Sequence, residues 1–299
     1  MGRHLVALLA GEGARVLSLD RTPAEIAGAE SITADLSDPS AVGRAVAAAA
    51  PDVVFHLASQ TPGGAPGCTP AEQLVGDPVA TEHLLEAVRR LGPETRVVVV
   101  SSSAVYGDAT SSGTPIPETA PFRPVTPYGV AKAAVELVAL RHHLAHGLKV
   151  VRVRPFNLVG PGQGKNRLPG HLAAQVVAVS AGAEPPVVRL RHRATSRDFV
   201  DVRDAARAFR ALAELGEPGE VYNVGSGRTV SIGELLDLLL ATAGVTARVE
   251  ETDASPEAGD VRGQAADTGR IRRTTGWSAA IPLGVSLSDL LDSFRDGPT

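Results

Sequence analysis

The sequence predicts an α/β protein built on a doubly wound parallel sheet, followed by a smaller α/β lobe. Three observations predict this. Short apolar runs alternate with helix-period segments through the first half of the 299 residues. Two of those runs, 52–58 (DVVFHLA) and 96–101 (RVVVVS), are apolar almost throughout, as strands covered on both faces are. Hydrophobic residues make up 43% and charged residues 21%, which supports a core of that size and argues against disorder.

His4 to Leu9 reads as an amphipathic helix stopped by Gly11 and Gly13. Arg15–Asp20 (RVLSLD) reads as a short buried strand and Ile32–Leu36 as another, with a helix after them over Pro39–Ala50. The run 52–58 leads to a long helix over 71–90, and the run 96–101 to a helix from Tyr128 to His146. Thr126 suits the N-cap of that helix and Pro127 its first position. Lys149–Arg154 (KVVRVR) is the next strand. Beyond about residue 160 the elements shorten, with Pro/Gly-rich connections at 160–164 and 182–186. Ser231-Ile-Gly-Glu234 is a capping box opening a helix through Leu240. The expected division is a first lobe over 1–160 and a second over 161–299, whose segments are free to interleave.

Composition excludes several classes. A net charge of −4 provides no basic field for nucleic acid. No apolar run reaches the roughly 18 residues of a membrane span, and no signal-peptide pattern opens the chain, so the expected compartment is the cytoplasm. Cys68 is the single cysteine, which leaves no internal disulfide and no cysteine-rich metal site. His142, His143 and His146 have helical spacing, but imidazoles suit the last turn of a helix and no acid or cysteine joins them, so no metal is expected. Cys68 reads as incidental and Trp277 as a packing residue, while Asp201 and Asp204 read as orienting the segment around Arg197.

Chemistry concentrates in three places. Tyr128 and Lys132 lie four apart on one helix face, where an ammonium beside a phenol is expected to lower the phenol's pKa for proton transfer. Ser101–Gly107 (SSSAVYG) follows an apolar strand, and ligands of open parallel sheets bind outside the carboxyl ends of strands. Asp20 ends the first strand, where an acid can hold a ribose diol. Asp35-Leu36 and His56-Leu57-Ala58 end the next strands on the same rim.

Together with Arg154-Pro-Phe-Asn157, Gly160-Pro-Gly-Gln163, Arg197-Asp-Phe-Val-Asp-Val-Arg-Asp204, Val221-Tyr-Asn-Val-Gly-Ser-Gly227 and Thr275-Gly-Trp277, these residues resemble the extended short-chain dehydrogenase/reductase family, in its nucleotide-sugar epimerase/dehydratase/reductase branch. The 154–157, 160–163 and 197–204 segments are most similar to those of GDP-4-keto-6-deoxy-mannose reductases. The resemblance implies a Rossmann-type sheet, a nucleotide-sugar substrate and a homodimer formed through the helices at 71–90 and 128–146. It implies Ser102, Tyr128 and Lys132 as catalytic residues. Ser102 would hydrogen-bond the sugar oxygen, Tyr128 would exchange a proton with it, and Lys132 would hold the nicotinamide ribose. Gly2, Asp20, Arg21, Asp35, Leu36, Leu57, Ala58, Ser59, Tyr128, Lys132 and Pro155 would surround the cofactor. Ser103, Asn157, Arg197 and Arg189 would face the substrate. Asp20 favours NAD by repelling a 2′-phosphate, and Arg21 beside it leaves NADP open.

Three departures bear on activity. The 4,6-dehydratases of the family carry an Asp-Glu pair where Ser103 and Ala104 stand, which excludes that chemistry and leaves a 4-ketoreductase or a 4-epimerase. The arginine that clamps the diphosphate has Glu257 as its nearest match, with Arg262, Arg189, Arg191 or Arg193 as substitutes; the run containing the last three equally suits a solvated edge strand. Finally, Gly2-Arg-His-Leu matches only the last glycine of the family's phosphate-binding loop, 18 residues before Asp20. The strand ahead of that loop would be central, between 15–20 and 52–58. Its absence should leave two edges unpaired, at about 1–3 kcal/mol per buried unsatisfied group. An upstream start is the favoured account; a truncated, weak or inactive relative is the other.

Overall fold

The computed structural model describes residues 1–23, 25–59, 69–107, 114–251 and 263–295. In chain order the elements are α1 (Gly2–Gly11), β1 (Leu17–Asp20), β2 (Glu30–Thr33), α2 (Pro39–Ala49), β3 (Val53–His56), α3 (Pro70–Leu91) and β4 (Arg96–Val100). A 3₁₀ turn (Ser103–Tyr106), α4 (Pro127–His146), β5 (Lys149–Pro155), β6 (Asn157–Val159), α5 (Leu168–Ser180) and β7 (Val187–Leu190) follow. The remainder is β8 (Ser196–Arg197), β9 (Phe199–Asp201), α6 (Val202–Leu215), β10 (Val221–Val224), β11 (Val230–Ser231), α7 (Ile232–Ala243), β12 (Arg248–Glu251), α8 (Gly269–Thr275) and α9 (Leu283–Arg295).

The main sheet is parallel, in the order β10-β5-β4-β3. Strand alternation divides its valines between two helical layers. Val98, Val151 and Val153 face a core with α6 residues Phe209 and Leu212, together with Leu5 and Trp277. Val97, Val99 and Val150 face the opposite core, with Val42, Leu85, Val88, Val135 and Ala139 of α2, α3 and α4. This is the doubly wound arrangement expected. A separate core (Leu172, Val188, Leu235, Leu239, Leu287) fills the space among α5, α7 and α9. Around it lie three two-stranded pairings, β6 with β9, β7 with β12 and, antiparallel, β8 with β11.

Two strand expectations need correction. The strand expected at 32–36 is β2 at Glu30–Thr33, because the Asp35 carboxylate accepts from the Ser37 amide at 2.8 Å and turns the chain. The strand ending at Asp20 is half-buried rather than buried, because β1 pairs with β2 alone. Among the described residues no hydrogen-bonded pairing joins this two-stranded sheet to β3.

Candidate active site

The capping expected for α4 is present: Thr126 accepts from the Gly129 amide at 3.1 Å, and Pro127 opens the helix. Gly129 lets α4 approach the 3₁₀ turn closely, since a Cβ there would lie 2.7 Å from the Ala104 carbonyl oxygen. That approach brings Tyr128 beside Ser102, whose side chain acts on the phenol. Ser102 also caps the turn, its hydroxyl accepting from the Ala104 amide at 3.2 Å.

One helical turn on, Lys132 is buried and its Nζ lies 5.8 Å from the centroid of the Tyr128 ring. The ammonium does not turn to the phenol. It meets Oδ2 of Asp77 at 3.3 Å and donates to the Val100 carbonyl at 3.3 Å. The electrostatics therefore depart from the expectation. Burial pushes the Tyr128 phenol up, with Asp77 adding to this, against the Ser102 hydrogen bond and the charge of Arg167, which push it down. Burial pushes the Lys132 ammonium down, against Asp77, which holds it up. The Asp77 carboxylate beside Lys132 offsets part of the lysine's charge at the phenol.

The expected rim residues end β1, β2, β3 and β5. Asp20 and Asp35 are exposed, Oδ1 of Asp20 accepting the Arg21 amide at 2.6 Å. Leu36 offers its carbonyl to Nδ1 of His83 at 2.8 Å. Gly2 opens α1, where no side chain caps the first turn, and a Cβ built on it would meet Cδ1 of Leu57 at 3.9 Å. Ala58 is exposed beside Ser59, whose hydroxyl donates to Asp77 at 2.6 Å. Pro155 is buried at the end of β5 beside Val224, and Ser103 is buried in the 3₁₀ turn.

The substrate-facing candidates are less gathered. Asn157 donates from its backbone and Nδ2 to the Asp198 carbonyl, at 2.9 and 3.3 Å. Next to Asp198, half-buried Arg197 bonds the Ser196 carbonyl at 2.9 Å. Arg189 lies on β7 with 65% of its side chain exposed, paired with Glu250 at 3.1 Å. Glu257, Arg262 and Cys68 lie outside the described residues.

Sequence reasoning missed three features. Asp77 was hidden inside a predicted helix; the signal was an acid between Gly76 and Pro78, an unfavourable triplet at mid-helix. Arg167, at the N-cap of α5, carries a charge that reaches Tyr128. Arg154 anchors a buried network: it grips Glu136 with Nε and Nη2 at 2.7 and 2.8 Å and donates to the Tyr106 hydroxyl at 2.8 Å. Tyr106 in turn donates to Asn223 at 2.7 Å, and burial pushes its phenol up to about 12.

The remaining acids and rings are structural. Asp198 accepts from Ser226, Gly227 and Ala266; Asp201 caps α6 and accepts from Ser286; Asp204 accepts from the Ala280 and Ile281 amides. Trp277 donates to the Asp204 carbonyl at 3.0 Å. His142 bonds Glu82 and His143 bonds the Leu148 carbonyl.

Comparison with known proteins decides the family. Residues 1–225 match the profile of the NAD dependent epimerase/dehydratase family. The chain belongs to that family. It is 33% identical over 261 residues to GDP-6-deoxy-D-mannose reductase of Pseudomonas aeruginosa, covering 87% of this chain and 86% of that protein. It is 32% identical over 302 residues to dTDP-6-deoxy-L-talose 4-dehydrogenase (NAD(P)(+)) of Kitasatospora kifunensis, covering 100% and 93%. Its fold superposes on RMD from Pseudomonas aeruginosa complexed with NADPH with a TM-score of 0.86 at 30% identity, covering 99% of this chain and 95% of that one. dTDP-glucose 4,6-dehydratases and UDP-glucose 4-epimerases are also among its relatives.

Proposed function

We propose that this family member is an NAD(P)-dependent nucleotide-sugar oxidoreductase that reduces a 4-keto sugar nucleotide. The observation that carries the reading is the assembly of Ser102, Tyr128 and Lys132 at the carboxyl end of β4. Tyr106 and Tyr222 are committed elsewhere, to Asn223 and to the Glu217 amide. In this reading Ser102 donates a hydrogen bond to the C4 oxygen and Tyr128 delivers the proton that oxygen needs on reduction. Lys132 supplies positive charge beside them.

The residues present fit the cofactor. The uncapped N-terminus of α1 at Gly2 suits a pyrophosphate. The exposed Asp20 carboxylate suits a ribose diol, which favours NAD, with NADP admitted by Arg21. Asp35, Leu36, Leu57, Ala58, Ser59 and Pro155 complete the rim. When bound, the dinucleotide supplies the hydride. Ser103, Asn157, Arg197 and Arg189 are the proposed substrate contacts.

The 4,6-dehydratase reading is set aside on side-chain chemistry: neither Ser103 nor Ala104 can act as the acid or base which that elimination needs. The second reading is a 4-epimerase, favoured by the same Ser-Tyr-Lys set and by the epimerases among the relatives. We also assign 161–299 to a substrate lobe, with β10, α6 and α8 returned to the first lobe's sheet and core. The proposed assembly is a homodimer. Val130, Leu137 and Leu144 recur every seven residues on α4 and are 42%, 56% and 74% exposed, and Val75 and Val79 of α3 are exposed as well. Among the described residues no helix is long and apolar enough to cross a membrane, and the proposed compartment is the cytoplasm.

The test is to mix purified protein with NADH or NADPH and GDP- or dTDP-linked 4-keto-6-deoxy sugars. A reductase consumes dihydronicotinamide in a one-to-one ratio with product. Sugar inversion at C4 on retained dinucleotide, without net consumption, would instead establish the epimerase.

A further inference from the structure

Lys132 is one of three lysines in the chain, and only 4% of its side chain is exposed. A buried ammonium loses hydration and tends to shed its proton unless an opposite charge lies close. Asp77, also with 4% of its side chain exposed, places Oδ2 3.3 Å from Nζ. The same oxygen accepts the Ser59 hydroxyl at 2.6 Å, which fixes the carboxylate from the end of β3. The Asp77 backbone is fixed as well. Its carbonyl accepts the Thr81 hydroxyl at 2.7 Å, and Thr81 lies 2.9 Å from Nε2 of buried His56. Thr81 has spent its proton on Asp77, so Nε2 of His56 is the donor in that contact.

We propose that Asp77 is a positioning residue that keeps Lys132 protonated and aimed between β4 and Tyr128, and so sets the alkaline limit of turnover. This inference rests on the reading of Tyr128 and Lys132 as catalytic residues. The groups facing Lys132 are Asp77, His56 and the Tyr128 ring; those facing Tyr128 are Ser102, Arg167, Asp77 and Lys132. Among the described residues Asp77 is the only carboxylate in either group. His56 is held neutral, its pKa pushed down to about 4 by burial and by the Lys132 charge. The positive charge beside the reacting phenol therefore depends on Asp77. Ser59, on the proposed cofactor rim, ties that rim to the lysine through the same oxygen.

Two readouts test this. Lysine-selective isotope labelling yields three side-chain signals, and that of Lys132 is assigned by its loss in Lys132→Met. Asp77→Asn should lower the Lys132 titration midpoint by about one pH unit or more, while Asp77→Glu, which keeps the charge, should stay near the parent. Asp77→Ser is a second neutral variant and must shift the midpoint in the same direction. The alkaline limb of kcat/KM should move to lower pH with the midpoint in the neutral variants. An unmoved Lys132 midpoint in both neutral variants overturns the inference. A moved midpoint with an unmoved limb overturns the catalytic reading of Lys132 and leaves the Asp77–Lys132 coupling standing.

Discussion

Glu136→Ala should be among the most damaging single substitutions remote from the substrate. Glu136 is fully buried on α4, one turn beyond Lys132, and grips Arg154 of β5 through two bonds of 2.7 and 2.8 Å. Arg152 stands 3.8 Å away. Removing the carboxylate strands a guanidinium with 4% of its side chain exposed. Breaking a buried pair on one side costs about 3–5 kcal/mol. Arg154 keeps the Tyr106 hydroxyl, the Glu118 carbonyl and the faces of Tyr106 and Phe122, each centroid 4.9 Å away. That places the loss near the lower end, about 3 kcal/mol, a large part of the roughly 5–15 kcal/mol that holds a domain together. In urea unfolding, with a slope of about 1–3 kcal/mol per molar, the midpoint should fall by about 1 M or more. The pair Glu136→Leu with Arg154→Met should be milder than Glu136→Ala, because the more deeply buried guanidinium is removed together with its carboxylate. A loss under about 1 kcal/mol for Glu136→Ala would refute the reasoning.

Two other perturbations follow from the structure. Gly107 has φ of 57°, and a Cβ there would lie 1.8 Å from the Arg123 carbonyl oxygen; Gly107→Ala should cost about 3 kcal/mol or more by displacing the turn that carries Ser102, read as a drop in thermal midpoint. Burial pushes the His56 imidazole down to about 4 in the folded chain, against its ordinary value of 6.5. The unfolded chain thus binds a proton that the folded chain refuses in that window. The stability from this group is complete above pH 6.5 and falls by about 3 kcal/mol as pH drops to about 4. His56→Gln should flatten that part of the urea-midpoint curve against pH, and an unchanged slope would count against a neutral buried imidazole.

How much was legible in the sequence depended on range. Helix ends governed by local chemistry, such as Thr126-Pro127 and Ser231–Glu234, read correctly because a cap and its amide lie within three residues of each other. The valine run marked β4 because two-sided burial writes itself as unbroken apolar sequence, whereas β3, equally apolar, ends the four-stranded sheet and is only partly buried, with Val53 exposed. β2 was misplaced because a single Asx turn at Asp35 ends it and leaves little trace in periodicity. Tyr128 and Lys132 were legible by spacing on one helix. Asp77 was not, since it reaches Lys132 across 55 positions of chain, and the Gly76-Asp77-Pro78 triplet marks an irregular place in the helix without naming a partner. The same holds for Arg154, Tyr106 and Asn223, whose bonds span 48 and 117 positions. The expected lowering of the Tyr128 phenol failed because sequence spacing says that a lysine is near, not which group its charge is spent on.

The central claim is that Tyr128 moves a proton during reduction of a nucleotide sugar. Tyr128→Phe tests it most directly, because it removes the hydroxyl and keeps the ring that fills the half-buried site. Single-turnover rates and equilibrium binding of the nucleotide sugar should be measured on the same preparation. The account predicts a rate at least about 100-fold lower, with nucleotide-sugar affinity within about threefold of the parent. A rate within about tenfold of the parent would contradict it.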